Sequence, residues 1–319
     1  LDTVLNIGEP WMWAAFAGFV LAMLAVDLFM FGGNKAHKVG FREAAVWSLV
    51  WFMLAMLFNL GLWWYLKGAY GSEMAAVKAE EFLTGYLIEK SLAVDNIFIF
   101  LMIFTFFTVP EEYQRRVLIY GVIGAIVLRA IMILAGAWLV REFHWILYLF
   151  GAFLVFTGFK MLLFAQADPD LGKNPLLNWV KRHLRLTPDY RGEKFWVTED
   201  GVRKFTPLFL VLLMIEFTDL IFAVDSIPAI FAITTDPFIV FTSNIFAILG
   251  LRAMYFMLAD MADRFHLLKY GLAMVLVFVG TKMLIVDIYK IPIELSLGIV
   301  GITIATSVLA SLWVTRNKR

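Results

Sequence analysis

The chain has 319 residues, of which 62% are hydrophobic and only 17% charged, against roughly 45–50% and 25% in soluble domains. That excess is gathered in long runs, which places the chain in a bilayer and not in water. A net charge of +1 excludes a nucleic-acid surface, and the absence of cysteine excludes disulfides, thiolate metal sites and thiol redox chemistry.

A spanning helix needs about 20 mostly apolar residues, and nine stretches qualify. The first, 10–31, follows Asp2 and Glu9 where a signal peptide would carry basic residues, so it reads as a span and not as a removable leader. Lys35, Lys38 and Arg42 separate it from the second, 43–66. Next come 82–107, then Arg115 and Arg116, then 117–139 and 145–165. The loop 166–205 holds eight basic residues, among them Lys173, Lys181, Arg182 and Arg185. Beyond it run 206–233, 239–259, 268–288 and 294–314, with Arg264 between the seventh and eighth and a tail of Arg316, Lys318 and Arg319. The basic loops alternate with poorer ones. The positive-inside rule then sets the N-terminus outside and the C-terminus cytoplasmic, and the expected location is the cytoplasmic (inner) membrane.

Within the long loop, Pro175 to Leu186 reads as a basic amphipathic helix lying on the cytoplasmic leaflet, with Leu176, Val180 and Leu184 on its apolar side. Lys194 to Thr206 reads as a hairpin turning at Asp200-Gly201.

The chain also resembles itself. Ala93-Val94-Asp95-Asn96-Ile97 matches Ala223-Val224-Asp225-Ser226-Ile227, Leu128-Arg129-Ala130 matches Leu251-Arg252-Ala253, and Gly158-Phe159-Lys160-Met161-Leu162 matches Gly280-Thr281-Lys282-Met283-Leu284. The matches keep their order. Each repeat holds three spans, an odd number, so the second copy is inverted in the membrane, a recurring plan of transporters. The expected fold is an all-α polytopic transmembrane bundle. It comprises two N-terminal helices (1–81), a first three-helix repeat (82–165), the basic cytoplasmic loop (166–205), a second, inverted repeat (206–288), and a final helix with its tail (289–319).

An ionisable side chain at the bilayer centre costs at least about 2.5–3.5 kcal/mol. Glu89 and Asp95 nevertheless lie in the third span, and Glu216, Asp219 and Asp225 in the sixth. Asn96, Ser226 and Asn244 add neutral oxygens. A helix turns about 100° per residue, so Glu89 and Asp95 are about 120° apart and Glu216 and Asp225 point oppositely. Either several partners are served or the helix is broken, and Pro228 suggests a break in the sixth span. Arg129, Arg252 and Lys90 offer a purely structural alternative, pairing with the acids. Lys160 and Lys282, near span ends, read as snorkelling. The histidines (His37, His144, His183 and His266) fall in or near loops, which leaves carboxylate, amide, hydroxyl and carbonyl oxygens as ligands. Such a set suits Mg²⁺, Ca²⁺ or Mn²⁺ and does not suit Cu⁺ or a nitrogen–sulfur zinc site. Oxygen chemistry by itself leaves the choice among these ions, a proton and Na⁺ open.

Glu89-Lys90-Ser91-Leu92-Ala93-Val94-Asp95-Asn96, Phe222 to Ala229 and Leu249 to Tyr255 resemble the TerC family of integral membrane proteins, most closely its Alx-like branch. The resemblance runs from the first span to the ninth. It implies export of manganese from the cytoplasm, with Glu89, Asp95, Glu216, Asp219 and Asp225 as the acids of the pathway. The resulting expectation is a secondary transporter of divalent cations, Mn²⁺ foremost with Ca²⁺ or Mg²⁺ as alternatives, exchanging them for protons. Its metal site is Glu89, Asp95, Asn96, Glu216, Asp219 and Asp225; no cofactor is expected, and the bound Mn²⁺ is cargo. The competing expectation is a membrane scaffold or stress-response component recruiting soluble partners through 166–205. An enzyme is not expected, since no cysteine, haem-like histidine pair or nucleotide-binding glycine loop is present.

Overall fold

A computed structural model describes residues 7–31, 40–143, 145–163, 175–199, 201–259 and 267–316. Lys35, His37, Lys38, His144, Lys173, Asp200, Arg264, His266, Lys318 and Arg319 lie outside that set, as do the side chains of Asp95, Leu176, Lys181 and Arg316.

The helices follow one another as α1 (Pro10–Phe31), α2 (Phe41–Tyr70), α3 (Ser72–Phe106), α4 (Glu111–Glu142), α5 (Ile146–Leu163) and α6 (Pro175–His183). A two-stranded antiparallel hairpin of β1 (Trp196–Glu199) and β2 (Val202–Phe205) comes next. Then follow α7 (Pro207–Phe231), α8 (Pro237–Leu249), α9 (Leu251–Ala259), α10 (Leu268–Leu284) and α11 (Ile293–Arg316). Each of the nine expected stretches contains helix among the described residues. Among the described residues six stretches are both long and apolar enough to cross a membrane: α2, α4, α5, α7, the α8–α9 pair and α11. The fold is therefore an all-α polytopic membrane bundle. Leu49, Leu57, Leu60, Ile302 and Leu309 lie exposed on α2 and α11. In water such faces would aggregate; against lipid tails they are satisfied.

Sequence chemistry sets the helix ends. α2 gives way to α3 at Gly71, whose φ of 90° is open to glycine and strained for other residues. α7 and α8 each begin with proline, where the missing N–H has no intrahelical role. Asp236 caps α8 by accepting from the Phe238 and Ile239 amides. At 1.5 Å per residue α3 is about 50 Å long, well beyond the roughly 30 Å hydrocarbon core. Its first turns, with Lys78, Glu80 and Glu81, extend past the expected span.

The helices of the two repeats pair reciprocally. α3 packs on α8, α4 on α7, and α5 on α10. At the last contact, a Cβ on Gly158 would stand 2.8 Å from the Ala273 carbonyl oxygen, and one on Gly280 2.7 Å from that of Gly151. Gly158 and Gly280 are repeat mates, and so are Gly151 and Ala273. The two close approaches therefore exchange under the relation that a two-fold axis would impose. Only residues without side-chain bulk let the backbones meet here.

Two expectations are corrected. α7 is unbroken through Pro228, because that proline falls in its last turn and removes a single hydrogen bond near the end. The interruption lies on the seventh span instead, at Gly250 between α8 and α9. The loop helix α6 also does not turn its apolar side to lipid. Leu177 and Val180 are buried with Phe195 of the hairpin against Phe104, Leu118 and Leu208 of the bundle. Tyr190 donates to the Phe107 carbonyl at 2.7 Å, and burial pushes its phenol up to about 12, which keeps it a donor. Arg116 reaches Glu193 at 3.4 Å. The described part of the loop, 175–199 and 201–205, is thus a folded cap seated on the ends of α3, α4 and α7.

Candidate functional site

Glu89 is the middle residue of α3, and Asp219 is the middle residue of α7. These two repeat mates meet inside the bundle. Arg129 of α4 stands between them, ion-paired with Glu89. It binds Asp219 in bidentate fashion, Nη2 to Oδ1 at 3.1 Å and Nε to Oδ2 at 3.3 Å. Arg129 also donates to Asn244 Oδ1 of α8 at 3.2 Å. Asn96 donates to Asp219 Oδ1 at 3.3 Å. All five residues are buried, none more than 2% exposed. Helical arithmetic explains the grouping: Glu89 and Asn96 are seven residues apart, within about 20° on α3. Asn96, not Asp95, therefore shares the face of Glu89. The Asp95 backbone lies in α3, and its side chain is outside the described set.

The remaining acids of α7 stand apart from this cluster. Glu216, one turn before Asp219, lies against Gly124 of α4, where any Cβ would collide with its carboxylate. Its Oε2 has no hydrogen-bond partner among the described residues. Asp225 accepts from Thr157 of α5 at 3.3 Å. The structure thus unites Glu89, Asn96 and Asp219 and leaves Glu216 and Asp225 at separate positions along α7.

Two carboxylates against one guanidinium leave a formal excess of one negative charge when both are ionised. Among the described residues neutral donors do not fully satisfy the oxygens: Glu89 accepts no hydrogen bond beyond its ion pair, and Asn96 Oδ1 is unpartnered. Buried orphan acceptors are costly unless they serve something. All are hard oxygen donors, the set a divalent cation such as Mn²⁺ takes. Among the described residues no three of His, Asp or Glu come together closely enough to hold a metal unaided. A cation here would need the amide oxygens as well. A cavity of about 10 Å³ lies beside Asp219 and Arg252, lined otherwise by apolar residues such as Phe100, Leu118 and Ile215. It has room for about one water.

The bases divide their roles. Arg129 serves the acids. Lys90 donates to the Ala247 carbonyl at 3.2 Å, in the last turn of α8 before the Gly250 interruption. Lys282 does not snorkel; it donates to Ser296 of α11 at 3.0 Å.

Sequence reasoning missed a second buried polar network at the opposite side of α8. Asp236 takes Lys78 at 3.3 Å and the Ile7 amide at 3.1 Å in addition to its capping bonds. Lys78 also pairs with Glu81 at 2.9 Å, and Thr234 donates to the same carboxylate at 2.7 Å. The Asp236-Pro237 dipeptide, a cap followed by proline, was the available signal.

Comparisons with known proteins agree with this architecture. Residues 74–319 match the family described as the integral membrane protein TerC family. A protein of Escherichia coli K12 is 57% identical over 97% of this chain and 96% of its own length. One of Salmonella typhi is 55% identical over 98% and 97%. Both are named Alx, a candidate membrane-bound redox modulator. An uncharacterised membrane protein of Myxococcus xanthus, STKORF319, is 49% identical over 99% of this chain and 97% of its own. No solved structure matches the chain. With most of its length inside the family and relatives aligned end to end, the chain belongs to the TerC family of integral membrane proteins.

Proposed function

We propose that the protein is a secondary transporter that exports divalent metal cations, Mn²⁺ foremost, across the cytoplasmic membrane in exchange for protons. One observation carries this reading: Glu89 and Asp219, mid-helix residues of two repeat-related helices, converge on a single arginine deep in the bundle, where oxygens of Glu89 and Asn96 find no hydrogen-bond donor among the described residues. A membrane helix keeps such residues where they serve an ion path. Sites at the interface of repeats suit alternating access, in which one three-helix unit rocks against the other. Asp95, Glu216 and Asp225 extend the acidic positions along α3 and α7 on either side of the cluster. They give a dehydrated cation successive oxygen partners and give protons places to return. The reading sets the N-terminus outside and the basic loop, 166–205, on the cytoplasmic side.

The name carried by the relatives points to redox modulation. This chain has no cysteine, so a redox effect would follow from the metal it moves and not from thiol exchange. The scaffold alternative draws support from Trp179, Arg182 and Arg185, which stay exposed on the cap. Neutralising those arginines would abolish recruitment and leave metal transport unchanged.

The test is cellular. Cells carrying Asp95→Asn, Asp225→Asn or Glu89→Gln, with the variant present in the membrane at normal level, are expected to accumulate manganese like cells lacking the protein. Wild-type manganese content in all three would contradict the proposal.

A further inference from the structure

Arg129 occupies the place that a cation held by Glu89 and Asp219 would take. Its guanidinium lies between a carboxylate from each repeat, with a third bond to Asn244, so it touches α3, α7 and α8 from α4. A guanidinium keeps its charge at any working pH. A divalent ion on the same two carboxylates and this arginine therefore exclude each other, by sterics and by repulsion.

A displaced arginine needs another anion, since a buried unpaired charge is not tolerated. Glu216 provides one. It is three residues from Asp219 on α7, a neighbouring position on the helix surface. Its carboxylate already rests on α4 at Gly124, and Oε2 lacks a partner among the described residues. Helix side chains lean towards their own N-terminus, which carries Arg129 in the direction of Gly124. The glycine leaves the space between.

We infer that Arg129 is a tethered counter-cation that competes with the transported ion, holding Glu89 and Asp219 when the site is empty and passing to Glu216 when a metal binds. This rests on the transport reading and adds a mechanism to it. The arginine closes the empty site and, on returning, drives the ion off.

The competition is read by titrating purified protein in detergent with Mn²⁺ alone. Arg129→Gln is expected to bind Mn²⁺ at least tenfold more tightly than wild type and to release it more slowly. Glu216→Gln removes the arginine's second seat, so it should bind several-fold more weakly. In Arg129→Gln/Glu216→Gln the Glu216 effect should vanish, which a merely structural pair of residues would not produce. Unchanged or weaker binding in folded Arg129→Gln, or a Glu216 effect that persists without the arginine, overturns the inference. Should Arg129→Gln not fold, Arg129→Lys serves, because it keeps a charge and loses the bidentate fork; unchanged Mn²⁺ affinity there overturns it equally. The transport reading fails differently. If Glu89→Gln and Asp219→Asn bind Mn²⁺ as wild type does, or if neither wild type nor any arginine variant binds it, that reading falls and takes the inference with it.

Discussion

Two charged networks are buried among the described residues, and they differ in how completely they are satisfied. At the start of α8, both oxygens of Asp236 are used, by three backbone amides and Lys78, and Glu81 is held by Lys78 and Thr234. At the centre of α3 and α7, Arg129 must answer two carboxylates, and oxygens of Glu89 and Asn96 are left without hydrogen bonds among the described residues. The first network has the economy of a fastening: it ties the N-terminal segment, α3 and the cap of α8 together. The second leaves buried acceptors open, as a site does that must take and release a cation.

Breaking the central network outright should have the largest effect. Glu89→Gln with Asp219→Asn removes both acids from a buried arginine and should destabilise the protein by about 3–5 kcal/mol, seen as a lower unfolding temperature in detergent. Either single substitution leaves the arginine one carboxylate. Each should lose transport tenfold or more with a much smaller loss of stability. Asp236→Ala sharpens the contrast from the other side. It deletes a helix cap and a buried partner of Lys78, at about 2 kcal/mol, yet the folded fraction should still carry Mn²⁺ at the wild-type rate.

Peripheral pairs set the lower limit of the scale. Arg116→Ala cuts a half-exposed pair on the cap and should cost about 0–1 kcal/mol, less at high salt. The smallest effect belongs to Glu199 of the hairpin, whose carboxyl is held below its ordinary 4.5 by Lys204 and Arg191. A group with a lowered folded pKa lends its stability above that ordinary value and loses it as pH falls through the folded one. Hydrogen exchange of the hairpin amides should therefore be flat from pH 8 to 5 and quicken, beyond the intrinsic trend, only in more acid solution.

Much of this was legible because a bilayer punishes what it does not use. Long apolar runs located the helices, and the cost of intramembrane charge singled out Glu89 and Asp219 before any contact was known. What was not legible was non-local. Arg129 gathers partners from three other helices, and no spacing within α4 announces them. The apolar side of α6 foretold a partner, but Leu177 and Val180 look the same whether that partner is lipid or protein. Pro228 marked α7 for a break that its position in the last turn made unnecessary, whereas Gly250, an unremarkable residue in an apolar run, marked the real one. Lys78 and Asp236 lie far apart in the chain, so their pairing became visible only once α3 and α8 were packed.

The most direct measurement is Mn²⁺ flux in proteoliposomes of the purified protein, with and without a pH gradient, beside liposomes holding Asp219→Asn. Flux well above empty liposomes, accelerated by the gradient and lost in the variant, is the predicted result. Wild-type protein that is folded and inserted yet moves Mn²⁺ no faster than bare lipid, or an Asp219→Asn protein that moves it equally well, would contradict the assignment of these carboxylates to an ion path.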